Sequence, residues 1–378
     1  MKILWFVDKQ FDFALDRASW LETIKFLQRN NEVQLVTGYK RSKLHFPELD
    51  KEIIYIRSPK AKFINRFGFY LNQIRSFKGL VSRYRPNRIV FNSNNLMMLK
   101  FAPRIRSSYR CGLYFDVRTL PISSKKIDQY IEGVLFKLSL RTAAKHFDGI
   151  AYITDNIRKY CCENFNLSAH ASAIWSSGVD TNVFRPISKR RPGGKFKILY
   201  HGTVAINRGL DKVIRALDLI GDSAVELIIL GSGEGLDELK CLTARLKLGD
   251  RVVFRSSVPF SEVPEKISEA DAGVIPFPDW VGWNVSSPIK LFEYLACGKP
   301  VIVTKIPAHL DVLGGQRFAF WADASTPRCI ARAIVEAIHS QDAFPAIAED
   351  ARLFAKQYYS WQSQAEKLEK FLLGEKTG

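Results

Sequence analysis

The chain has 378 residues, 47% of them apolar and 25% charged. That length and composition predict two or three soluble globular domains with ample core, and exclude disordered, collagenous and disulfide-stapled classes. The net charge is +18, and residues 1–190 carry all of it, with 33 basic and 15 acidic residues; residues 191–378 hold 23 of each. Within the first half, residues 51–110 carry 14 basic residues and one acid, Glu52. One half is therefore expected to face something anionic: a membrane surface, a polyanion or a phosphorylated substrate.

In chain order, Ile3–Val7 reads as a buried strand. It is too short for a secretory signal, and no apolar run approaches a membrane span. Residues 17–29 read as a helix with Trp20, Leu21, Ile24 and Leu27 on one face, and 33–37 as the next strand. Further strands are expected at 52–56, 88–92, 111–116 and 149–154. The Pro-, Gly- and charge-rich segment Pro186–Gly194 reads as a linker. A second alternating series follows, with strands at 196–201, 225–230, 251–254, 272–275, 300–304 and 317–321. Its helices are expected near 208–220, 234–247, 261–270, 288–297, 325–339 and 345–373. The fold class is α/β: two Rossmann-like domains with parallel sheets, expected to face each other across a cleft. The expected divisions are a first domain over 1–187, a second over 195–356, and a closing segment over 357–378. Six cysteines at scattered positions and six histidines without ligand spacing suggest reduced thiols in a cytoplasmic compartment and no metal site.

Several segments point to phosphate chemistry. His201-Gly202-Thr203 ends a strand, and Asn207-Arg208-Gly209 opens the next helix. Gly202 permits close backbone approach and Arg208 offers a charge-assisted contact; a turn glycine with a solvated arginine reads the same way. Gly231-Ser-Gly-Glu-Gly235 is a strand-to-helix turn, and Leu236 breaks the dinucleotide fingerprint. In Ser286–Val301, Ser287 reads as an N-cap and Pro288 as the first helical residue. The free amides and Lys290 would form an anion site, and Glu293 would accept bonds from a sugar diol. The alternative is an ordinary capped helix with a solvated glutamate.

Here the sequence resembles glycosyltransferase family 4, of GT-B fold. The resemblance rests on Ser-Pro-Ile-Lys-Leu-Phe-Glu-Tyr-Leu-Ala-Cys-Gly-Lys-Pro-Val (287–301), and on Ser177–Pro186, Tyr200–Thr203, Arg208–Asp211, Val253–Val258, Ala270–Pro276 and Ser360-Trp361 in matching order. It implies a retaining transferase that uses a nucleotide-diphosphate sugar as co-substrate, with no cofactor and no essential metal. It assigns the ribose hydroxyls to Glu293, the diphosphate to Arg208, Lys290 and amides near Ser286, Ser287 and Ile289, and the base to the neighbourhood of Gly231 and Val258. Three positions depart from the family pattern. Val285 stands where an acid contacts the donor sugar, with Asp279 and Asn284 as candidate replacements. Asp8–Phe13 lacks the usual glycine pair. Thr203 replaces an arginine, leaving Lys9, Arg118 or Lys290 to compensate.

On the acceptor side, Asp116 and Arg118 end a predicted strand. Asp116 is a candidate to orient an acceptor hydroxyl and Arg118 to bind a phosphate, or both simply bond to backbone. Residues 60–85 interleave aromatics with Lys60, Lys62, Arg66, Arg75, Lys78, Arg83 and Arg85 at helical spacing. This is the pattern of an interfacial helix on an anionic membrane, or of a helix whose apolar side packs on the sheet. The reading is a transferase acting on a glycan acceptor, lipid-linked, at the inner face of the cell membrane, with no nucleic acid partner. The alternatives are a GT-B enzyme with a soluble acceptor, a sugar-nucleotide epimerase, or a polyanion-binding protein with a vestigial nucleotide site.

Overall fold

The computed structural model describes residues 1–11, 17–39, 43–57, 65–92, 104, 106–121, 126–167, 169–187, 194–221 and 224–375. They form two compact units, one of 1–177 with 361–378 and one of 178–360. The Pro186–Gly194 segment lies largely outside the described residues, as do Lys60, Lys62 and the side chain of Arg66.

The first unit holds a seven-stranded parallel sheet. Its strands are β1 (Lys2–Gln10), β2 (Glu32–Tyr39), β3 (Ile53–Arg57), β4 (Arg88–Asn92), β5 (Gly112–Val117), β6 (Gly149–Tyr152) and β7 (Ser172–Ile174), ordered β3-β2-β1-β4-β5-β6-β7. The central strands are apolar on both sides because helices cover both faces; Ile3 to Val7 are all buried. The helix Arg17–Leu27 buries Trp20, Leu21, Ile24 and Leu27, the face expected of it. The helix Asn65–Tyr84 buries Phe77 and Val81 against the sheet, and Phe77 meets Phe6 edge-on. Among its described side chains, the apolar face therefore packs on the sheet, and Arg75, Lys78 and Arg83 point to water. Over these residues the helix follows the second expectation, an apolar side packed on the sheet; the side chains of 58–70 lie outside the described residues. The helices Lys126–His146 and Asp155–Phe165 of this unit were not anticipated from the sequence.

The second unit holds a six-stranded parallel sheet of β8 (Phe196–His201), β9 (Val225–Leu230), β10 (Val252–Arg255), β11 (Ala272–Ile275), β12 (Val301–Thr304) and β13 (Ala319–Ala322), ordered β10-β9-β8-β11-β12-β13. Strand order reverses between β8 and β11, so the crevice beyond their carboxyl ends is the place for a ligand. The single helix expected over 345–373 is two, Phe344–Tyr358 and Trp361–Leu373. The break falls where the chain bridges to Val179, whose amide donates to the Tyr359 carbonyl. The final helix buries Ala365, Leu368, Phe371 and Leu372 in the core of the first unit. Gly149 makes room for it, since a Cβ there would collide with the Phe371 ring.

Candidate active site

Beyond β8 the chain continues alongside the loop after β9: the Gly202 amide donates to Leu230 O and the Val204 amide to Ser232 O. Two glycines permit this approach. Gly231 sits at φ +154°, and a Cβ there would collide with the Gly202 carbonyl; Gly233, at +155°, faces the Val204 carbonyl in the same way. The turn ends in a short 3₁₀ segment, Ile206–Arg208, and the following helix starts at Leu210. Arg208 therefore stands before that helix, not in its first turn.

Arg208 is held by aromatics. Its guanidinium carbon lies 5.0 Å from the centre of a Trp283 ring and 5.6 Å from Phe277, rings that stack on each other. Its buried Nε has no hydrogen-bond partner. From the other side, the helix Ile289–Ala296 brings Lys290 and Glu293. Tyr294 fixes this helix, donating its hydroxyl to Leu199 O and laying its ring over Gly273. The N-cap is Pro288, without a side-chain cap, and not Ser287 as expected. The reason is the extended conformation that the proline holds, which starts the helix one residue later.

Lys290 is only 8% exposed. Its Nζ sits 3.7 Å over the Tyr200 ring, points toward Gly202 and has no hydrogen-bond partner. Burial first, and Arg208 beside it second, hold its ammonium well below the ordinary lysine range; Glu293 opposes this. Glu293 is buried in the middle of its helix, not at the start. Burial pushes its carboxyl up to about 7, against the pull of Lys290. Its Oε2 lies 3.3 Å from His201 Nε2, yet the contact lacks hydrogen-bond alignment. Burial, aided by Lys290, lowers the imidazole to about 3, so this contact is not an ion pair at neutral pH. The result is a buried Lys290 and a half-buried Arg208, each with one buried nitrogen that lacks a partner, at the carboxyl end of β8. An anion answers that arrangement, because an unpaired buried donor is costly.

The other candidates take varied places. Thr203 is exposed, and its carbonyl accepts the Tyr200 hydroxyl. Val258 is half-buried in the loop after β10. Ser286 donates its hydroxyl to Trp283 O, and Ser287 and Ile289 are half-buried at the helix entrance. Val285 is buried. Asp279 and Asn284, the candidate replacements for an acid there, bond each other at 2.6 Å. His201, Tyr200, Phe277 and Trp283 were not assigned roles from sequence; the run of aromatics through Phe277–Trp283 was the available signal.

In the first unit, Asp116 is completely buried, with Oδ1 accepting from Trp175 Nε1 at 2.9 Å. Burial raises its carboxyl to about 6, and Arg118 opposes that rise. Arg118 stacks on Trp175, 3.8 Å from the ring centre, and donates to Trp175 O. Trp175 thus lies against both residues, and Asp116 Oδ2 is buried without a hydrogen-bond partner.

Residues 184–354 match the family described as "Glycosyl transferases group 1". Among curated proteins, an uncharacterized glycosyltransferase of Methanocaldococcus jannaschii is 23% identical over 229 residues, 57% of this chain and 57% of that protein. A GDP-mannose-dependent alpha-(1-6)-phosphatidylinositol monomannoside mannosyltransferase of Mycobacterium tuberculosis is 25% identical over 249 residues, 62% of this chain and 64% of that protein. The matches thus span less than two thirds of these relatives' length. Among solved structures, Anabaena HepE in complex with UDP has a TM-score of 0.74 at 15% identity, covering 99% of this chain and 100% of that one. A sucrose-phosphate synthase of Thermosynechococcus elongatus has a TM-score of 0.77 at 14% identity, covering 99% of this chain and 98% of that one. The fold is GT-B. The family match and the relatives' names support a transferase of the glycosyltransferase type.

Proposed function

We propose that the chain moves a sugar from a nucleotide-diphosphate sugar to a hydroxyl of a glycan acceptor borne on a lipid. The observation that carries this is the pair of buried, unpartnered cationic nitrogens on Lys290 and Arg208 beside Gly202, at the switch point of the second sheet. When the nucleoside diphosphate departs, negative charge grows on its leaving oxygen. Preorganised cations in a water-poor site stabilise that charge more in the transition state than in the ground state. Lys290 and Arg208 fill this role. Glu293 receives the ribose hydroxyls. Retention follows if the leaving phosphate accepts the acceptor's proton on the face it has just left; no protein nucleophile is required.

The names of similar proteins support the donor class: one curated relative is GDP-mannose-dependent, and HepE is solved with UDP and glucose. The phosphatidylinositol mannoside in the former's name supports an acceptor carried on a lipid. A thermal-shift panel of UDP, GDP, ADP, CMP and their sugars tests the donor site, with and without EDTA. A ligand at about 100 times its Kd stabilises by ~2.7 kcal/mol. One responding base names the donor class, and persistence of the shift in EDTA supports metal independence. Silence for every nucleotide, combined with salt-sensitive binding of polyanions, would replace this reading with that of a polyanion-binding protein.

A further inference from the structure

The helix Lys126–His146 exposes an apolar stripe that no described residue of the first unit covers. Tyr130 is 74% exposed, and Ile131, Val134 and Leu138 are 41–50% exposed. At 3.6 residues per turn these four, with Arg141 and Lys145 after them, fall on one arc of about 100°. Phe136, Leu140 and Ala143 lie on the opposite side, buried in the unit. No acidic side chain shares the exposed arc among the described residues. Soluble proteins seldom leave such a row of large apolar groups in water, and a row of this kind marks a docking surface.

The charge around it selects the occupant. The stripe runs into two exposed cations, Arg141 and Lys145, on the half of the chain that holds the whole positive excess. A second copy seated here would bring two strongly basic surfaces together. An anionic bilayer instead takes the apolar residues into its headgroup boundary while the cations meet lipid phosphates. We infer that the outer face of the helix Lys126–His146, through Tyr130, Ile131, Val134 and Leu138, docks this protein on an anionic lipid surface. The inference places the membrane contact on a helix with an apolar side free, whereas the described part of Asn65–Tyr84 gives Phe77 and Val81 to the core. It extends the reading of a lipid-borne acceptor, but its test needs no nucleotide.

The test is co-sedimentation of the full chain with vesicles of phosphatidylglycerol and phosphatidylcholine, against phosphatidylcholine alone. Binding is expected only to the anionic vesicles. The triple variant I131S/V134S/L138S is expected to weaken it roughly tenfold or more, and Tyr130→Ser to weaken it alone should the triple variant fold poorly. Arg75→Glu with Lys78→Glu is expected to cost less than the stripe variants. Circular dichroism and the nucleotide thermal shift should be unchanged in the stripe variants. Wild-type-like vesicle binding by a folded stripe variant would overturn the inference. So would a wild-type dimer in sedimentation velocity that the stripe variant converts to monomer, with no vesicle binding by either; the face would then join two copies. A wild-type chain that binds vesicles but no nucleotide would leave this inference standing and remove the transferase reading.

Discussion

Replacing Lys290 with methionine should move stability and ligand affinity in opposite directions. Nζ is buried without a hydrogen-bond partner, over the face of Tyr200. An unsatisfied buried donor costs ~1–3 kcal/mol, and a desolvated cation–π contact returns ~0.5–2 kcal/mol. The ligand-free protein therefore carries a net burden of about 1 kcal/mol at this position. Methionine keeps the length and apolar body of the side chain and removes the nitrogen. In a unit the size of residues 178–360, about 1 kcal/mol corresponds to a rise in Tm of roughly 2–4 °C. Binding should suffer in turn. A hydrogen bond from a charged donor to phosphate contributes ~1.5–3 kcal/mol, so the affinity for the nucleoside diphosphate should fall roughly 10- to 100-fold. Differential scanning fluorimetry with and without the responding nucleotide reads both effects on one sample, and calorimetry gives the affinity. A Lys290→Met protein with a lower ligand-free Tm and undiminished nucleotide affinity would refute the reasoning, because Lys290 would then be a structural residue with a hidden partner.

Three further outcomes are expected. Glu293 and His201 tilt stability against pH in opposite senses. The glutamate's folded pKa of about 7 lies above its ordinary 4.5, so its contribution is full below 4.5 and is lost as pH rises to 7. The histidine's folded pKa of about 3 lies below 6.5, so its contribution is present above 6.5 and is lost as pH falls toward 3. Between pH 4.5 and 6.5 the two slopes oppose, and Glu293→Gln should steepen the rise in stability toward neutrality; urea midpoints that keep the wild-type slope would contradict the pairing. Trp175→Phe should cost ~1–3 kcal/mol by leaving Asp116 Oδ1 without its donor, and an unchanged urea midpoint would show that another group takes over. Gly231→Ala should lower the unfolding midpoint far more than Gly202→Ala, since only the former meets a backbone carbonyl. Gly202→Ala brings a methyl to 3.5 Å from Lys290 Nζ and should chiefly weaken nucleotide binding. Equal losses of stability would remove that distinction.

Much of the second unit was legible because its information is local. Strand runs such as Phe196–His201 and Val225–Leu230 are largely apolar, as strands buried on both faces must be, and Gly202 and Gly231, both at positive φ, mark the turns that follow them. Arg208 and Lys290 could be chosen as residues, but not the reason they matter. That reason is a desolvated surrounding built by Tyr200, Phe277 and Trp283, which only tertiary contact assembles. Asp116 shows the same limit from the other side. A strand-end carboxylate next to an arginine is visible in the sequence, but not that Trp175 lies against both. The helix within residues 60–85 carried two readings for a related reason. Periodicity shows that a helix has an apolar side, and the residues 60–85 show it well, but only packing tells whether that side is already occupied. In the helix Asn65–Tyr84 the sheet has taken Phe77 and Val81, whereas in Lys126–His146 the core takes Phe136 and Leu140 and leaves Tyr130, Ile131, Val134 and Leu138 in water. The second helix has apolar residues on both sides. That spreads its periodic signal and hid it from the sequence reading, and it is also what gives the helix an apolar face to spare.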